Sequence, residues 1–420
     1  MRRRGIGSLL LLASLGGLAG SGCGESRGVY SPDAGPVTPE NLELFTWWVA
    51  PSEVEALTEL VTSYKAAHPA ARVNQFNDAS SANWSSMLAK GIDSPRWDVA
   101  QISAAGIPGF LKDHPGTLAP VDDIYAEPTL KAAVIPEILA AATVDGHAMG
   151  VVTGVHRNNA FIYNLQLLNK HGLRPPTTIA ELLDVCAKLK AAGVTPIATP
   201  LDAWIMRFLY LDLLSGVVGA MDFGAFIRHE LAVTAPKMQA GITEATDLFV
   251  RVLTEFVDMN AARAASYDWT TAVDAIHSNK AAMMFLGDWV KGYLVHLGWD
   301  PGVDFGVSGP PGASDLFVYG ADTFARPTMA PHPKCAGDFL SVVASKQAQV
   351  AFNRQKGSTP MRTDVRDLLD VPGQKNLDDL VNAKVRLPGI DNAQWDAAMA
   401  AYVKSGDKAA LLQSLLTITP

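Results

Sequence analysis

Two adjacent tryptophans, Trp47 and Trp48, end the first apolar run in the body of the chain, where the sequence predicts the carboxyl end of a strand. The carboxyl ends of parallel strands open onto a ligand crevice. An indole packs against the apolar C–H face of a pyranose, whose hydroxyls then need partners such as Asp, Glu, Gln, Asn or Lys. Because successive strand residues point to opposite faces, we expect at least one of the two indoles to line a cleft, while the other can belong to the core.

The sequence contains none of the motifs that nucleotide, zinc-protease or hydrolase chemistry requires. It has no Walker loop, no strand-linked G-x-G-x-x-G, no H-E-x-x-H and no G-x-S-x-G. His332 and Cys335 could be two zinc ligands, but no second pair lies near them in the sequence, so we interpret them as a loop histidine and a thiol at a helix start. We therefore predict no catalytic residues, no metal and no cofactor.

The composition is that of an ordinary globular protein. The 420 residues are 48% hydrophobic and 18% charged, and 34 Lys+Arg against 42 Asp+Glu give a formal net charge of −8. A phosphate backbone would have to bind a local basic patch against this negative mean field, so nucleic acid is not an expected partner. The length corresponds to about two to three domains.

The N-terminus has the pattern of a secretion signal. Three arginines at positions 2–4 precede a short apolar run over residues 6–18. That run is well short of the ~20 apolar residues that cross a bilayer. We assign residues 1–22 to a signal peptide and expect the protein to be exported.

A tether and an acylation site follow the signal segment. Residues 23–40 are rich in Gly, Pro and Ser, which predicts a flexible tether. Cys23 stands where a bacterial lipobox acylates its cysteine, although Gly20 occupies the position where that motif has leucine. Lipidation of Cys23 would anchor the protein at the periplasmic face or the cell surface, and plain cleavage is the alternative.

Short apolar runs alternate with amphipathic ones from residue 41 onward, which predicts an α/β domain with a largely parallel sheet. Ser52 and Glu55 fit a capping box for the first helix. A second, more helical lobe is predicted over the middle of the chain. The predicted strands are 42–47, 72–76, 97–102, 159–163, 281–286 and 316–319, and the predicted helices are 52–68, 83–90, 179–190, 203–218, 237–256, 269–277 and 334–355.

Short fragments in a fixed order and spacing match a known family. They are Leu42-Glu43-Leu44-Phe45-Thr46-Trp47-Trp48 followed by Glu53, Asp98-Val99-Ala100-Gln101, Val155-His156-Arg157-Asn158-Asn159, Pro175-Pro176-Thr177-Thr178, Asp268-Trp269, Gly287-Asp288-Trp289, Asp322-Thr323-Phe324 and Lys356-Gly357-Ser358. In this combination they resemble the extracellular solute-binding proteins (family 1) of ABC sugar importers, most closely the glucose- and mannose-binding members. The resemblance covers nearly the whole chain after the tether.

The resemblance implies an α/β, two-lobed periplasmic-binding-protein fold of type II, with the ligand cleft between the lobes. It places residues 41–154 and 323–357 in the first lobe and residues 155–322 and 358–420 in the second. A protein of this kind is not an enzyme. It captures a mono- or oligosaccharide by lobe closure and delivers it, as a monomer, to the transmembrane subunits of an ABC permease, and it touches the membrane only through its lipid anchor.

The resemblance also implies which residues contact the sugar. The ligand-binding set is Trp47, Trp48, Glu53, Gln101, Ser103, His156, Trp269, Trp289, Asp322 and Lys356. In this set the indoles pack on the sugar faces and the polar side chains bond its hydroxyls. The cleft wall of the first lobe would contain Trp47, Trp48, Glu53 and Gln101. The second lobe would supply Trp269 and Trp289. Asp322 and Lys356 would lie near the crossovers between the lobes.

Several of these positions also have a purely structural interpretation. Gln101 could bond to a neighbouring loop, and Trp289 could serve only in packing. Asp322 and Lys356 could form a surface or interlobe ion pair. His156 lies near a predicted crossover, where hinge hydrogen bonding and sugar contact are both open. We expect Asp288 to cap the helix that follows it.

The chain departs from the glucose-binding pattern at two places. Ser103 stands where relatives have a histidine that bonds the sugar, and the segment Arg386-Leu387-Pro388-Gly389 lacks a second histidine. These departures put glucose itself in doubt but leave the sugar class intact. Ser103 would make room for a larger or differently substituted ring.

Two other functions compete with sugar capture. The same fold could bind a charged solute such as a polyamine or a short peptide, in which case carboxylates rather than indoles would dominate the cleft. An exported carbohydrate-active enzyme would need a pair of carboxylates flanking a glycosidic bond. Cys186 and Cys335 could form one disulfide, or both could be buried free thiols.

Overall fold

The structure, a computed structural model, describes residues 29–30, 41–78, 97–265, 268–390 and 393–418. The predicted signal peptide 1–22, the candidate lipidation site Cys23 and the predicted helix 83–90 lie outside the described residues. The tether lies outside them as well, apart from residues 29–30.

Strands and helices alternate along most of the described chain. The strands are β1 Val29–Tyr30, β2 Asn41–Thr46, β3 Arg72–Asn77, β4 Val99–Ser103, β5 Leu118–Ala119, β6 Thr143–Val144, β7 His147–Ala148, β8 Val151–Arg157, β9 Ala160–Asn164, β10 Thr195–Ile197, β11 Ala281–Leu286, β12 Phe305–Ser308, β13 Leu316–Pro327 and β14 Val385–Pro388. The helices are Pro51–Ala67, Ile107–Asp113, Asp122–Tyr125, Pro128–Ala133, Pro136–Ala141, Leu165–Lys170, Ile179–Ala191, Ala203–Val218, Ala220–Ile227, Pro236–Arg251, Met259–Ala265, Trp269–His277, Trp289–His296, Pro333–Val343, Lys346–Lys356, Val371–Asn382, Ala393–Ser405 and Lys408–Leu415.

The first sheet begins as the βαβ unit that the sequence predicts. β2 pairs in parallel with β3 and with β4, and the helix Pro51–Ala67 connects β2 to β3. Leu57, Leu60 and Tyr64, three and four residues apart, are buried on one face of that helix, as its amphipathic pattern requires. The α/β prediction is confirmed for this part of the chain.

The rest of the first sheet is mixed rather than largely parallel. Its strand order is β1-β3-β2-β4-β13-β14, and β5 and β8 also pair with β13. β13 runs antiparallel to β4 and β8 but parallel to β14. The sheet is mixed because β13 enters it only after the chain has built the second lobe, and returns in the opposite direction.

β13 is three times as long as the predicted strand 316–319, since it continues to Pro327. Partner strands pair with β13 on both sides and provide hydrogen-bond partners for the backbone N–H and C=O groups of its polar second half. Alternate side chains of its first half enter different cores: Leu316 and Val318 pack in the second, and Phe317 and Tyr319 pack in the first. This strand therefore belongs to the boundary between the lobes.

A smaller sheet, in the order β10-β11-β9-β12, organises the second lobe. β11 is buried along its whole length, and helices including Ala203–Val218 and Pro236–Arg251 pack around it. Cys186 is buried in this core, whereas Cys335 is buried in the first, and no disulfide joins them.

Each of the two hydrophobic cores draws on separate parts of the chain. The first holds residues from Leu42 to Val155 and returns with residues from Phe317 to Leu380. The second holds residues from Ala160 to Val318 and then residues from Val385 to Ile418. The lobe boundaries given above stay a prediction. The helix Val371–Asn382, which lies after the predicted end of the first lobe at residue 357, contributes Leu377 and Leu380 to the first core. A lobe boundary drawn from the two cores would therefore fall after this helix.

The predicted capping box of Ser52 with Glu55 and the single predicted helix 334–355 are both wrong. The first helix starts at Pro51, and Glu53, not Glu55, accepts a hydrogen bond from the Ala50 N–H at 3.3 Å. The predicted helix 334–355 is two helices, because Ser345 caps a new helix by accepting a hydrogen bond from the Ala348 N–H. Within the described ranges, no helix combines the length and apolar character needed to cross a bilayer.

Candidate functional site

The end of β2 and the middle of β4 hold the first part of the site. The Gln101 Oε1 accepts hydrogen bonds from the Trp47 N–H, at 3.1 Å, and from the Thr46 hydroxyl. Because a backbone N–H can only donate, this contact orients the Gln101 amide. The Gln101 Nε2 is buried and has no hydrogen-bond partner among the described residues. It offers N–H donors that a bound molecule could satisfy.

Trp47 and Trp48 have different environments. Trp48 is fully buried against Phe324 and Phe352, with ring centroids 5.6 and 5.2 Å from its own. The Lys356 ammonium lies over the Trp48 ring, 5.7 Å from its centroid. Trp47 is only partly buried. Of the two indoles, Trp47 is therefore the one with surface left for another molecule, as the alternation of strand side chains would lead us to expect.

Glu53 and Lys356 form an ion pair that joins two helix ends. The Lys356 Nζ lies 3.1 Å from the Glu53 Oε1, and Lys356 is almost fully buried. Glu53 lies in the first turn of the helix Pro51–Ala67, where the helix dipole favours a negative charge. Lys356 ends the helix Lys346–Lys356, where the dipole favours a positive one. The dipoles of the two helices and the attraction between the carboxylate and the ammonium hold both side chains in place.

His156, on β8, lies between two carboxylates. Its Nδ1 lies 2.6 Å from the Asp288 Oδ1, and its Nε2 lies 3.4 Å from the Asp322 Oδ2. The second Asp288 oxygen accepts a hydrogen bond from the Arg157 N–H at 2.9 Å. Asp288 therefore binds β8 instead of capping the next helix, and the expectation that it caps the helix is wrong: its side chain makes no cap hydrogen bond.

The charges around His156 change two pKa values. Burial and the Lys356 charge disfavour the imidazolium, but attraction and hydrogen bonding to Asp288, helped by the Asp322 carboxylate 3.4 Å away, outweigh them and raise the pKa of His156. Burial alone would raise the pKa of Asp322, yet the neighbouring His156, helped by Lys356 and the Trp48 indole, lowers it. Both shifts favour the charged form of the group.

Aromatic rings form a wall beside this charged cluster. Trp289 packs edge-on against His156, with ring centroids 5.5 Å apart, and is only partly buried. Behind it, Trp204 and Phe208 have ring centroids 6.3 and 6.1 Å away. Gly287 makes this arrangement possible, because the Trp289 ring lies across the place that a side chain at residue 287 would occupy.

Ser103 and Trp269 stand at the margin of the cluster. Ser103 is the β-ladder partner of Asp322, and its hydroxyl accepts a hydrogen bond from the Gly106 N–H at 3.1 Å. Trp269 starts the helix Trp269–His277 and packs edge-on against Tyr293, with ring centroids 5.5 Å apart. Tyr293 shares a helix with Trp289, so the helix Trp289–His296 connects Trp269 to the aromatic wall only indirectly.

The structure thus connects most of the predicted set into one constellation. Contacts join Trp48, Glu53, His156, Trp289, Asp322 and Lys356, with Gln101, Ser103 and Trp47 on the neighbouring strands. Trp269 makes none of these contacts directly. The sequence reasoning missed the role of Asp288, and it missed Trp204 and Phe208, because both lie in a helix so uniformly apolar that its aromatic residues look like core.

The constellation carries the types of group that a polar, ring-shaped molecule would need. It offers a partly exposed indole, buried N–H donors and carboxylate acceptors, which is the mixture that hydroxyl groups need. Within the described ranges, no three His, Cys, Asp or Glu side chains are placed to hold a metal ion.

Comparison with known proteins identifies the family. Residues 50–350 match the family described as "Bacterial extracellular solute-binding protein". Over 377 residues the chain is 30% identical to an "Uncharacterized ABC transporter extracellular-binding protein" of Pyrococcus horikoshii, a match that covers 87% of this chain and 82% of that one. Over 359 residues it is 29% identical to a "Probable sugar-binding periplasmic protein" of Rhizobium meliloti, with 82% of both chains covered.

A solved structure shares the fold. The bacterial solute receptor AcbH, described as having an exclusive preference for β-D-galactopyranose, superposes with a TM-score of 0.73 at 16% identity, over 89% of this chain and 96% of its own. This likeness confirms the two-lobed α/β periplasmic-binding-protein fold. The family and the structural neighbours of this chain are solute-binding receptors, so the protein is a receptor and not an enzyme. The chain belongs to the bacterial extracellular solute-binding proteins, which deliver solutes to ABC transporters.

Proposed function

We propose that this protein captures a neutral sugar between its lobes and delivers it to the transmembrane subunits of an ABC permease. The observation that carries this proposal is that the charged groups of the constellation already face opposite charges inside the protein. Glu53 faces Lys356 at 3.1 Å, and His156 faces Asp288 at 2.6 Å. A cationic ligand would have to compete with these internal partners, whereas a sugar hydroxyl can add a hydrogen bond to either member of a pair.

The uncharged groups support the same ligand class. Gln101 has buried N–H donors without a partner among the described residues, and leaving them unsatisfied costs about 1–3 kcal/mol. Trp289 adds an aromatic surface next to the charged cluster. A pyranose matches both, because it carries acceptor oxygens at its rim and apolar C–H groups on its face.

Within the sugar class, we infer a mono- or oligosaccharide, and likeness to the glucose- and mannose-binding members makes a hexose the first candidate. The hydroxyl of Ser103 replaces the histidine of that pattern and lies on the strand next to Asp322. A serine is shorter than a histidine, so this side of the site would accept a larger or differently substituted ring. The relatives' descriptions as sugar-binding proteins point the same way.

Capture would proceed by closure of the two lobes about their crossovers. The lobes already contact each other outside the constellation, where the His296 Nδ1 lies 2.8 Å from the Glu55 Oε1. Contacts of this kind stabilise a closed form without touching the ligand. The permease would recognise the closed shape, and the receptor would act as a monomer.

The test is a thermal-shift screen of the purified protein against D-glucose, D-mannose, D-galactose, D-xylose and maltose, with spermidine and a tripeptide in parallel. A ligand that binds only the folded state raises the melting temperature. We expect at least one sugar to do so and spermidine and the tripeptide to have no effect. A response confined to spermidine or the tripeptide would favour the charged-solute function and overturn this one.

Replacing Lys356 by methionine is expected to weaken sugar binding about tenfold, which is the loss of one charge-assisted hydrogen bond. The same change leaves Glu53 without its partner, so weak spermidine binding should appear. Isothermal titration calorimetry measures both effects. Lys346→Met at the other end of the same helix, where the lysine pairs with Asp364, is the matched control and should leave sugar affinity unchanged.

We further propose that Cys23 is acylated and anchors the protein to the membrane. Expression in a bacterial host should yield a protein in the membrane fraction whose N-terminal peptide has the mass of a diacyl-modified Cys23. Cys23→Ala should move the protein to the soluble fraction without changing its sugar affinity. Recovery of unmodified Cys23 in the exported protein would contradict this proposal.

A further inference from the structure

We propose that Asp288, His156 and Asp322 form a proton-linked clamp in which the His156 imidazolium holds the Asp322 carboxylate in its sugar-binding position, so that sugar affinity depends on the proton of His156. The proposal rests on the sugar-capture function proposed above. It assigns Asp288, which is fully buried, the role of a positioning residue that acts through His156.

The geometry of the clamp comes from three different elements. His156 is on β8, Asp322 is on β13, and Asp288 lies in the loop between β11 and the helix Trp289–His296. The Asp288 backbone is itself attached to β8, since its N–H donates to the Arg157 carbonyl at 3.0 Å. Asp288 is fully buried and cannot turn away to solvent, so it holds the Nδ1 side of the imidazole. The Nε2 side is left to face Asp322 at 3.4 Å.

Four other groups border the imidazole or the Asp288 carboxylate. Lys291, buried in the helix Trp289–His296, is attracted to Asp370 and to Asp288. Lys356, from the helix Lys346–Lys356, repels the imidazolium but pairs with Glu53. Arg157, the next residue on β8, directs its guanidinium to Asp379 at 2.9 Å. Trp289 packs edge-on against the imidazole and carries no charge. The imidazole therefore interacts closely with two carboxylates.

Loss of the proton breaks one side of the clamp. A neutral imidazole has one N–H, which the shorter contact to Asp288 retains. The Nε2 then presents a lone pair to the Asp322 carboxylate, so attraction becomes repulsion and Asp322 loses its restraint on the His156 side. Since the pKa of His156 is raised, the imidazolium stabilises the folded protein fully below the ordinary histidine value of about 6.5, and this contribution disappears as the pH rises through the raised pKa.

The experiment measures the clamp with and without a sugar. In the ligand-free protein, NMR titration of the His156 ring should give a pKa above about 6.5, and Asp288→Asn should lower it. The sugar to use is the one that binds most tightly in the thermal-shift panel. Its dissociation constant should increase with pH above the pKa of His156, and the increase should approach tenfold for each pH unit. Asp288→Asn should move the start of that rise to lower pH, and His156→Gln should remove the pH dependence.

His147→Gln is the matched control, because His147 also pairs with an aspartate, Asp122, at 2.7 Å, but on an exposed part of the first lobe. It should leave the pH profile of sugar affinity unchanged. An unshifted His156 titration in Asp288→Asn would overturn the clamp, and so would a sugar affinity that is independent of pH. Failure of every sugar to bind at any pH would overturn the proposed function together with its pH dependence, a result distinct from a bound sugar whose affinity ignores pH.

Discussion

Replacing Gly287 by alanine is expected to weaken sugar binding about 100-fold while the protein stays folded. A methyl group at residue 287 would overlap the six-membered ring of Trp289, so the indole has to leave its position. Trp289 would then lose its edge-on contact with His156 and its place beside Trp204. The variant removes no functional side chain and displaces one aromatic surface, which is why it tests the position of Trp289 and not merely its presence.

Isothermal titration calorimetry measures the affinity, and tryptophan fluorescence reports the displaced indole. The matched control is Gly109→Ala, because a side chain at residue 109 would meet no atom within 4 Å. The control should bind sugar as the unaltered protein does. Equal affinities for the two variants would mean that Trp289 serves only in packing, which is the structural interpretation that the sequence leaves open.

Gly292→Ala is expected to weaken sugar binding about 30-fold by separating the two lobes where they touch. The Gly292 helix packs in the second core, and an added Cβ would lie 2.6 Å from the carbonyl oxygens of Gln355 and Lys356, at the end of a helix of the first core. Backbone atoms cannot swing aside as a side chain can. The lobes have to move apart, and Lys356 moves away from its positions next to Glu53 and over Trp48.

The control for this variant is Gly337→Ala, another helical glycine, whose added Cβ would be 3.6 Å from the Arg326 side chain, an ordinary contact. Alanine is favoured over glycine in a helix by roughly 1 kcal/mol, so the control should melt slightly higher and bind sugar normally. Small-angle X-ray scattering with sugar present should show a more extended particle for Gly292→Ala. An unchanged scattering curve and affinity would contradict the close lobe contact.

Local patterns in the sequence were enough to predict most of the elements. Apolar spacing gave the helices Ala203–Val218 and Trp269–His277 and the strand Ala281–Leu286 with their observed bounds. The period of a buried face depends on the backbone geometry of that element alone, so it can be read without knowing what the face packs against. Predictions were wrong where a neighbour in space decided the outcome.

The break between Pro333–Val343 and Lys346–Lys356 is one such place. The side chains around residue 345 are compatible with one continuous helix, but the Arg362 guanidinium donates to the Ala344 carbonyl at 2.8 Å, and Ser345 caps the new helix. β13 is another, since its extension to Pro327 depends on pairing with β4, β5 and β8. Glycine and aspartate in the middle of β13, at residues 320 and 322, have low strand propensity, and pairing with neighbouring strands offsets it there.

The sequence by itself determined the kind of molecule: an α/β chain with an export signal pattern, no catalytic motif, and ordered fragments that resemble the sugar-importer receptors. It also nominated the indoles, carboxylates and Lys356 as a set. Only the tertiary structure decided their roles. It buried Trp48 beneath Lys356, left Trp47 partly exposed, and turned Asp288 from a helix cap into the anchor of His156. Such roles depend on contacts between residues more than a hundred positions apart, and the distances and orientations of these contacts are set by the packing of two lobes.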